Sequence, residues 1–131
     1  MIRRWEGEKV RSEDDRIIDT LRRFFADRDD VMFAYLFGSV ARGDVGPLSD
    51  IDIAVMCDDC ETRIQWDLME LLGREDIDVV NLRTLRSQRL VKDIVQEGVL
   101  LKEGERRAQW EVDAYHKALD FIQHAKVVYG Y

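Results

Sequence analysis

A wholly apolar run, Val31 to Phe37, stops at Gly38-Ser39, and after ten intervening residues Asp50-Ile51-Asp52 heads a second apolar stretch, Ile53-Ala54-Val55. No other feature of the chain constrains its fold as much. A short apolar run of β-forming residues without polar alternation reads as a buried strand. The second stretch alternates. On an extended strand Ile51, Ile53 and Val55 face one side, while Asp50, Asp52 and Ala54 face the other. The connection between the two strands is short enough to fold the Gly-Ser turn toward the two acids.

The remaining segments supply helices to cover such a sheet. Ser12-Glu13-Asp14-Asp15 has the form of a capping box, and Ile17, Ile18, Leu21, Phe24 and Phe25 then recur at helical spacing, which predicts a helix over about 13–27. Ser39 to Gly43 reads as a short helix or turn, and Gly43 to Ser49, with the single proline Pro47, as a loop. A helix over 61–72 places Ile64, Leu68, Leu71 and Leu72 on its core face and stops at Gly73. Asp76 to Leu82 is a third strand with Asp78 and Val80 on one face. Leu85 to Glu97 follows as a helix ended by Gly98, then a possible edge strand at Val99 to Leu101. A long amphipathic helix over about 105–128 closes the chain, with Val112, Tyr115, Leu119 and Ile122 at core spacing and Trp110 and Phe121 beside them. No repeat or linker interrupts this order. The reading is one α/β domain over residues 1–131, a small mixed β-sheet flanked by helices.

Composition excludes several function classes. The formal net charge of −7 argues against direct binding to free nucleic acid, which clusters Lys and Arg against phosphates, and suits a basic protein partner better. The longest apolar run is the seven residues from Val31, far short of the roughly 20 a membrane span needs. The charged N-terminus offers no secretory segment, so the expected location is cytoplasmic. Cys57 and Cys60 have no second pair or histidines at ligand spacing for zinc. Asp58 and Asp59 between them disfavour a thiolate, so they read as two loop cysteines without joint chemistry. His116 and His124 are too far apart along one helix to share a metal ion.

The chemistry rests on the acids. Asp50 and Asp52 face alike, and Asp78 joins them if its strand pairs alongside; Asp76 competes for that third place. Three carboxylates in one cleft repel unless cations neutralise them, and oxygen-only ligation favours Mg²⁺ or Mn²⁺. Two such ions can activate an attacking hydroxyl and stabilise a leaving pyrophosphate. Gly38 lets backbone N–H groups approach phosphates, Ser39 adds a hydroxyl at the start of a turn or helix, and Arg42 offers a guanidinium fork.

With Gly38-Ser39 through Val55 and Ile77-Asp78-Val79-Val80 in place, the chain resembles the minimal nucleotidyltransferase (MNT) branch of the DNA polymerase β-like superfamily over about residues 12–103. The resemblance implies a mixed-sheet nucleotidyltransferase fold and Mg²⁺-dependent use of a nucleoside triphosphate. It implies catalytic, metal-holding aspartates at Asp50, Asp52 and Asp78, with the triphosphate held by Gly38 and Ser39. At this size the chain is similar to the MntA-type antitoxins of HEPN/MNT toxin–antitoxin pairs. That implies an enzyme transferring AMP from ATP to a tyrosine of a separate HEPN ribonuclease toxin. The alternatives are an antitoxin that blocks its toxin by binding alone and a nucleotidyltransferase acting on a small hydroxylated molecule.

Overall fold

The computed structural model describes residues 13–43 and 50–129. The expected capping residue Ser12 and the loop around Pro47 lie outside the described residues. Within them, strands β1 (Val31–Phe37), β2 (Ile51–Cys57), β3 (Ile77–Asn81) and β4 (Val99–Lys102) form a sheet in the order β3-β2-β1-β4. β1 runs antiparallel to both β2 and β4, whereas β2 and β3 are parallel. The two most apolar segments are the central strands, where both faces need cover. A parallel neighbour requires a crossover connection, which α3 (Glu61–Leu72) provides between β2 and β3.

The alternation in β2 sorts the core into two layers. Ile51, Ile53 and Val55 pack on one face with Leu36, with Leu21 and Phe25 of α1 (Glu13–Ala26), and with Ile64 and Leu68 of α3. Ala54 packs on the other face with Phe33, Tyr35 and Phe37, against Leu82, Ile94 of α4 (Gln88–Glu97) and Trp110 of α5 (Arg107–Tyr129). The short α2 (Gly38–Arg42) follows β1 directly and buries Val40. Asp52 shares the strand face of Ala54, at the end of the sheet where α2 begins. Among the described residues no helix is long and apolar enough to cross a membrane.

Several outward faces differ from the sequence reading. α4 starts at Gln88, three residues later than expected, because Ser87 caps it: its Oγ accepts from the Leu90 N–H at 3.2 Å, and a turn from Asn81 to Thr84 precedes it. Leu71 is exposed on α3, and Val112 and Leu119 are exposed on α5, where Ile122 is buried as expected and Ala118 is buried beside it. Helical spacing shows which residues share a stripe, but the width of the covered stripe depends on the neighbour, and α5 meets mainly α4. Trp110 does join the core, its ring 5.5 Å from that of Phe33 and 6.0 Å from that of Tyr35, while Phe121 is exposed. Cys57 and Cys60 are bonded to each other and buried, joining the end of β2 to the start of α3. The two-residue spacing was the available signal for that pairing, and the aspartates between them masked it.

At the end of the sheet away from Asp52, the Arg28 guanidinium donates to Asp30 through Nε and Nη2, each at 3.1 Å, and to Asp67 at 2.6 Å; Arg63 also reaches Asp30 at 3.1 Å. The hydrogen bond from Arg28 holds the Asp30 carboxyl below its ordinary 3.8. A depressed carboxylate stabilises the fold at neutral pH, and that contribution disappears as pH falls from the ordinary value through the depressed one. Asp30→Asn is therefore expected to cost about 1 kcal/mol or less at pH 7. It is also expected to flatten the loss of stability below about pH 4, measured by urea titration across an acid series.

Candidate active site

The in-register pairing of β2 with β3 sets Asp52 directly beside Asp78, on strands about 4.8 Å apart. Residues paired this way in a parallel ladder project to the same face, so the two carboxylates share one side of the sheet. Asp50 precedes β2 by one residue and lies two before Asp52, on that same side. On its other edge Asp52 pairs with Phe37, the last residue of β1, so the next residue, Gly38, is delivered against the Asp52 side chain. Gly38 has φ +79°, and a Cβ there would stand 3.2 Å from Asp52 Cγ and still closer to Oδ2, nearer than side chains approach. The glycine is thus required twice, by its backbone conformation and by the carboxylate packed on it.

Burial is the first cause that pushes the Asp52 carboxyl above its ordinary 3.8, followed by the negative charges of Asp78 and Asp50; Arg42 partly offsets them. Asp50 and Asp78 are exposed, whereas Asp52 is half-buried. Arg42 ends α2, and its Nη1 lies 3.9 Å from Glu97 Oε2 at the end of α4. Glu97 is the neighbour the sequence did not suggest, since nothing in either helix indicates that α2 and α4 meet. Ser39 sits half-buried in the first turn of α2, next to Gly38.

The rival acid is otherwise engaged. Asp76 accepts from Arg74 Nε at 2.8 Å and Nη2 at 2.5 Å, and its carbonyl accepts the Ile51 N–H at 2.9 Å. Its side chain closes the turn before β3, and Arg74 holds its carboxyl below the ordinary range. Asp78 carries no such partner and lies beside Asp52.

A hard divalent cation suits this donor set. The side chains are carboxylates, and the repulsion that raises Asp52 is what a cation between Asp52 and its neighbours would relieve. Among the described residues no group of three or more His, Cys, Asp or Glu side chains is placed to hold a metal ion by itself. Mg²⁺ does not need one, because it takes one or two carboxylates and completes its shell with water and phosphate oxygens.

A four-strand mixed sheet with helices on both faces, paired acids at a strand edge and a Gly-Ser turn abutting them constitutes the polymerase β-like nucleotidyltransferase fold. The family model described as Polymerase beta, Nucleotidyltransferase matches residues 19–107, and the chain belongs to that family. Its structural neighbours include MNT antitoxins solved with HEPN toxins. It is similar to a toxin–antitoxin crystal structure with AMP-PNP, at 27% identity, covering 88% of this chain and 91% of that one, with a TM-score of 0.62. It is similar to the MntA–HepT toxin–antitoxin, at 27% identity, 87% of each chain and a TM-score of 0.54. It is also similar to the complex of a tri-AMPylated Shewanella oneidensis HEPN toxin with its MNT antitoxin, at 26% identity, 87% of each chain and a TM-score of 0.55. No curated protein matches the chain.

Proposed function

We propose that this protein is a cytoplasmic antitoxin that transfers AMP from ATP to a hydroxyl, that of a tyrosine, on a cognate HEPN ribonuclease toxin and thereby neutralises it. The observation that carries the reading is the pair Asp52 and Asp78, in register on parallel strands, with Gly38 packed against Asp52. Membership of the nucleotidyltransferase family supports the reaction class. An AMP-PNP complex and an AMPylated toxin among the structural neighbours support the nucleotide and the acceptor.

In this reading Asp50, Asp52 and Asp78 would hold Mg²⁺, two ions in all, which would supply charge neutralisation at the phosphates and lower the pKa of the attacking hydroxyl. Gly38 and Ser39 hold the triphosphate by backbone N–H groups and the Ser39 hydroxyl. Arg42 offers its guanidinium to a phosphate oxygen, with Glu97 3.9 Å from its Nη1. The acceptor oxygen attacks the α-phosphorus, the bond to the bridging oxygen breaks, and pyrophosphate leaves. The acceptor's proton passes to Asp78, which is exposed. The acceptor arrives on a second chain, a reading supported by the structural neighbour solved with a tri-AMPylated toxin.

The direct test is the intact mass of the co-purified partner after incubation with this protein and Mg²⁺-ATP. A gain of one or more AMP units is expected, and none with the Asp50→Asn, Asp52→Asn double variant. A partner that stays tightly bound and gains no mass would overturn transfer in favour of neutralisation by binding alone.

A further inference from the structure

α3 presents to solvent a face that its own packing does not explain. Ile64 and Leu68 are fully buried on its inner side, yet Trp66, on the outer side, is 66% exposed. It stands in a groove of about 420 Å³ with Met69 and Gly73, and with Asp67, Glu70 and Glu75 around them. Gly73 is left-handed at φ +65°, and no atom lies within 4 Å of where its Cβ would stand, so that end of the groove is open. The rim is negative. The Arg74 guanidinium is directed to Asp76. Asp67 is paired with Arg28. Glu70 and Glu75 are exposed and have no ion-pair partner among the described residues.

We propose that this groove is the docking site for a lysine- or arginine-bearing segment of the protein partner, with one apolar side chain seated against Trp66. The proposal rests on the reading of the site as one that acts on a protein. Charge complementarity fixes the occupant. An apolar anchor surrounded by carboxylates favours a basic segment and repels an acidic one, and exposed tryptophans in grooves are frequent anchors at interfaces. Position supports it as well. Glu75 is three residues from Asp78, a Cα separation of at most about 11 Å, so a segment leaving the groove at that end reaches the acids around the β3 edge of the sheet, whose opposite face α3 covers.

The probe is a fluorescein-labelled synthetic peptide in which lysines flank one leucine and one tyrosine, titrated by anisotropy against the full chain. Saturable binding that weakens with salt is expected, about tenfold weaker for Trp66→Ala and lost for Glu70→Lys with Glu75→Lys. Trp66 and the two glutamates are exposed, so these variants leave the core intact. No binding to the parent chain, or equal binding to Trp66→Ala, would overturn the proposal. A parent chain that sediments as a dimer, and as a monomer after Trp66→Ala, would overturn it in favour of a second copy as occupant. The peptide's mass after Mg²⁺-ATP is read separately: Trp66-dependent binding without AMP transfer upholds the groove and counts against the transferase reading alone.

Discussion

Asp52→Asn is expected to lower AMP transfer by about 10³ or more while leaving the protein at least as stable as the parent at pH 7. A thousandfold loss corresponds to a barrier raised by about 4 kcal/mol, the scale of losing one ligand to ions that neutralise the transferring phosphates. The stability half follows from linkage. Burial and the charges of Asp78 and Asp50 raise the folded pKa of Asp52 above its ordinary 3.8. A carboxyl raised in this way stabilises the fold fully below the ordinary value, and that contribution is lost as pH rises through the raised one. At pH 7 the charged Asp52 therefore opposes folding, and the neutral amide removes the opposition. Thermal melts should place Asp52→Asn level with or above the parent without metal. Added Mg²⁺ should raise the parent's Tm and leave that of the variant nearly unchanged. A variant that melts well below the parent would show that the carboxylate is a structural group. Full activity in it would remove Asp52 from the site.

This separation of activity from stability reflects how the site is built, and it explains which parts were legible in the sequence. Strand β1 and helix α3 run as the sequence predicts because each has an unambiguous stop, Gly38 after an uninterrupted apolar run and Gly73 after a periodic one. The face shared by Asp50 and Asp52 follows from two-residue alternation alone. Choosing Asp78 over Asp76 needed more. The sequence favours Asp78 only by its setting between apolar strand residues, whereas the register with β2 sets Asp78 beside Asp52 and the Arg74 guanidinium closes on Asp76. Contacts between distant segments left no trace in the sequence. Arg42 meets Glu97 because α2 and α4 abut, and Trp66 lines a groove because the turn at Gly73 leaves space beside it. The exposed Leu71, Val112 and Leu119 have the same origin, since periodicity orients a helix without saying how far its neighbour extends over it.

The second large effect is expected at Gly38, and Gly43 provides its control. Both glycines have φ +79°, so alanine at either position bears the same left-handed strain, about 1 kcal/mol. They differ in what the new methyl meets. Among the described residues nothing lies within 4 Å of it at Gly43, whereas at Gly38 it meets the Asp52 carboxylate. Gly43→Ala should therefore lose about 1 kcal/mol and keep its transfer activity. Gly38→Ala should lose a further 1–3 kcal/mol, about the cost of forcing extra atoms into a packed site. Its transfer should fall by about 10² or more, because a carboxylate displaced by about 1 Å no longer holds its ligands in line. Transfer assays beside urea titrations of the two variants read both quantities. A cycle combining Gly38→Ala with Asp52→Gly isolates the contact: with the carboxylate gone, alanine at 38 should cost no more than alanine at 43. If Gly38→Ala remains the costlier substitution in that background, the glycine answers to the backbone of α2 and not to Asp52. If the excess disappears, the turn and the acid form one unit, and the close approach that forbids a side chain at 38 is what holds Asp52 in place.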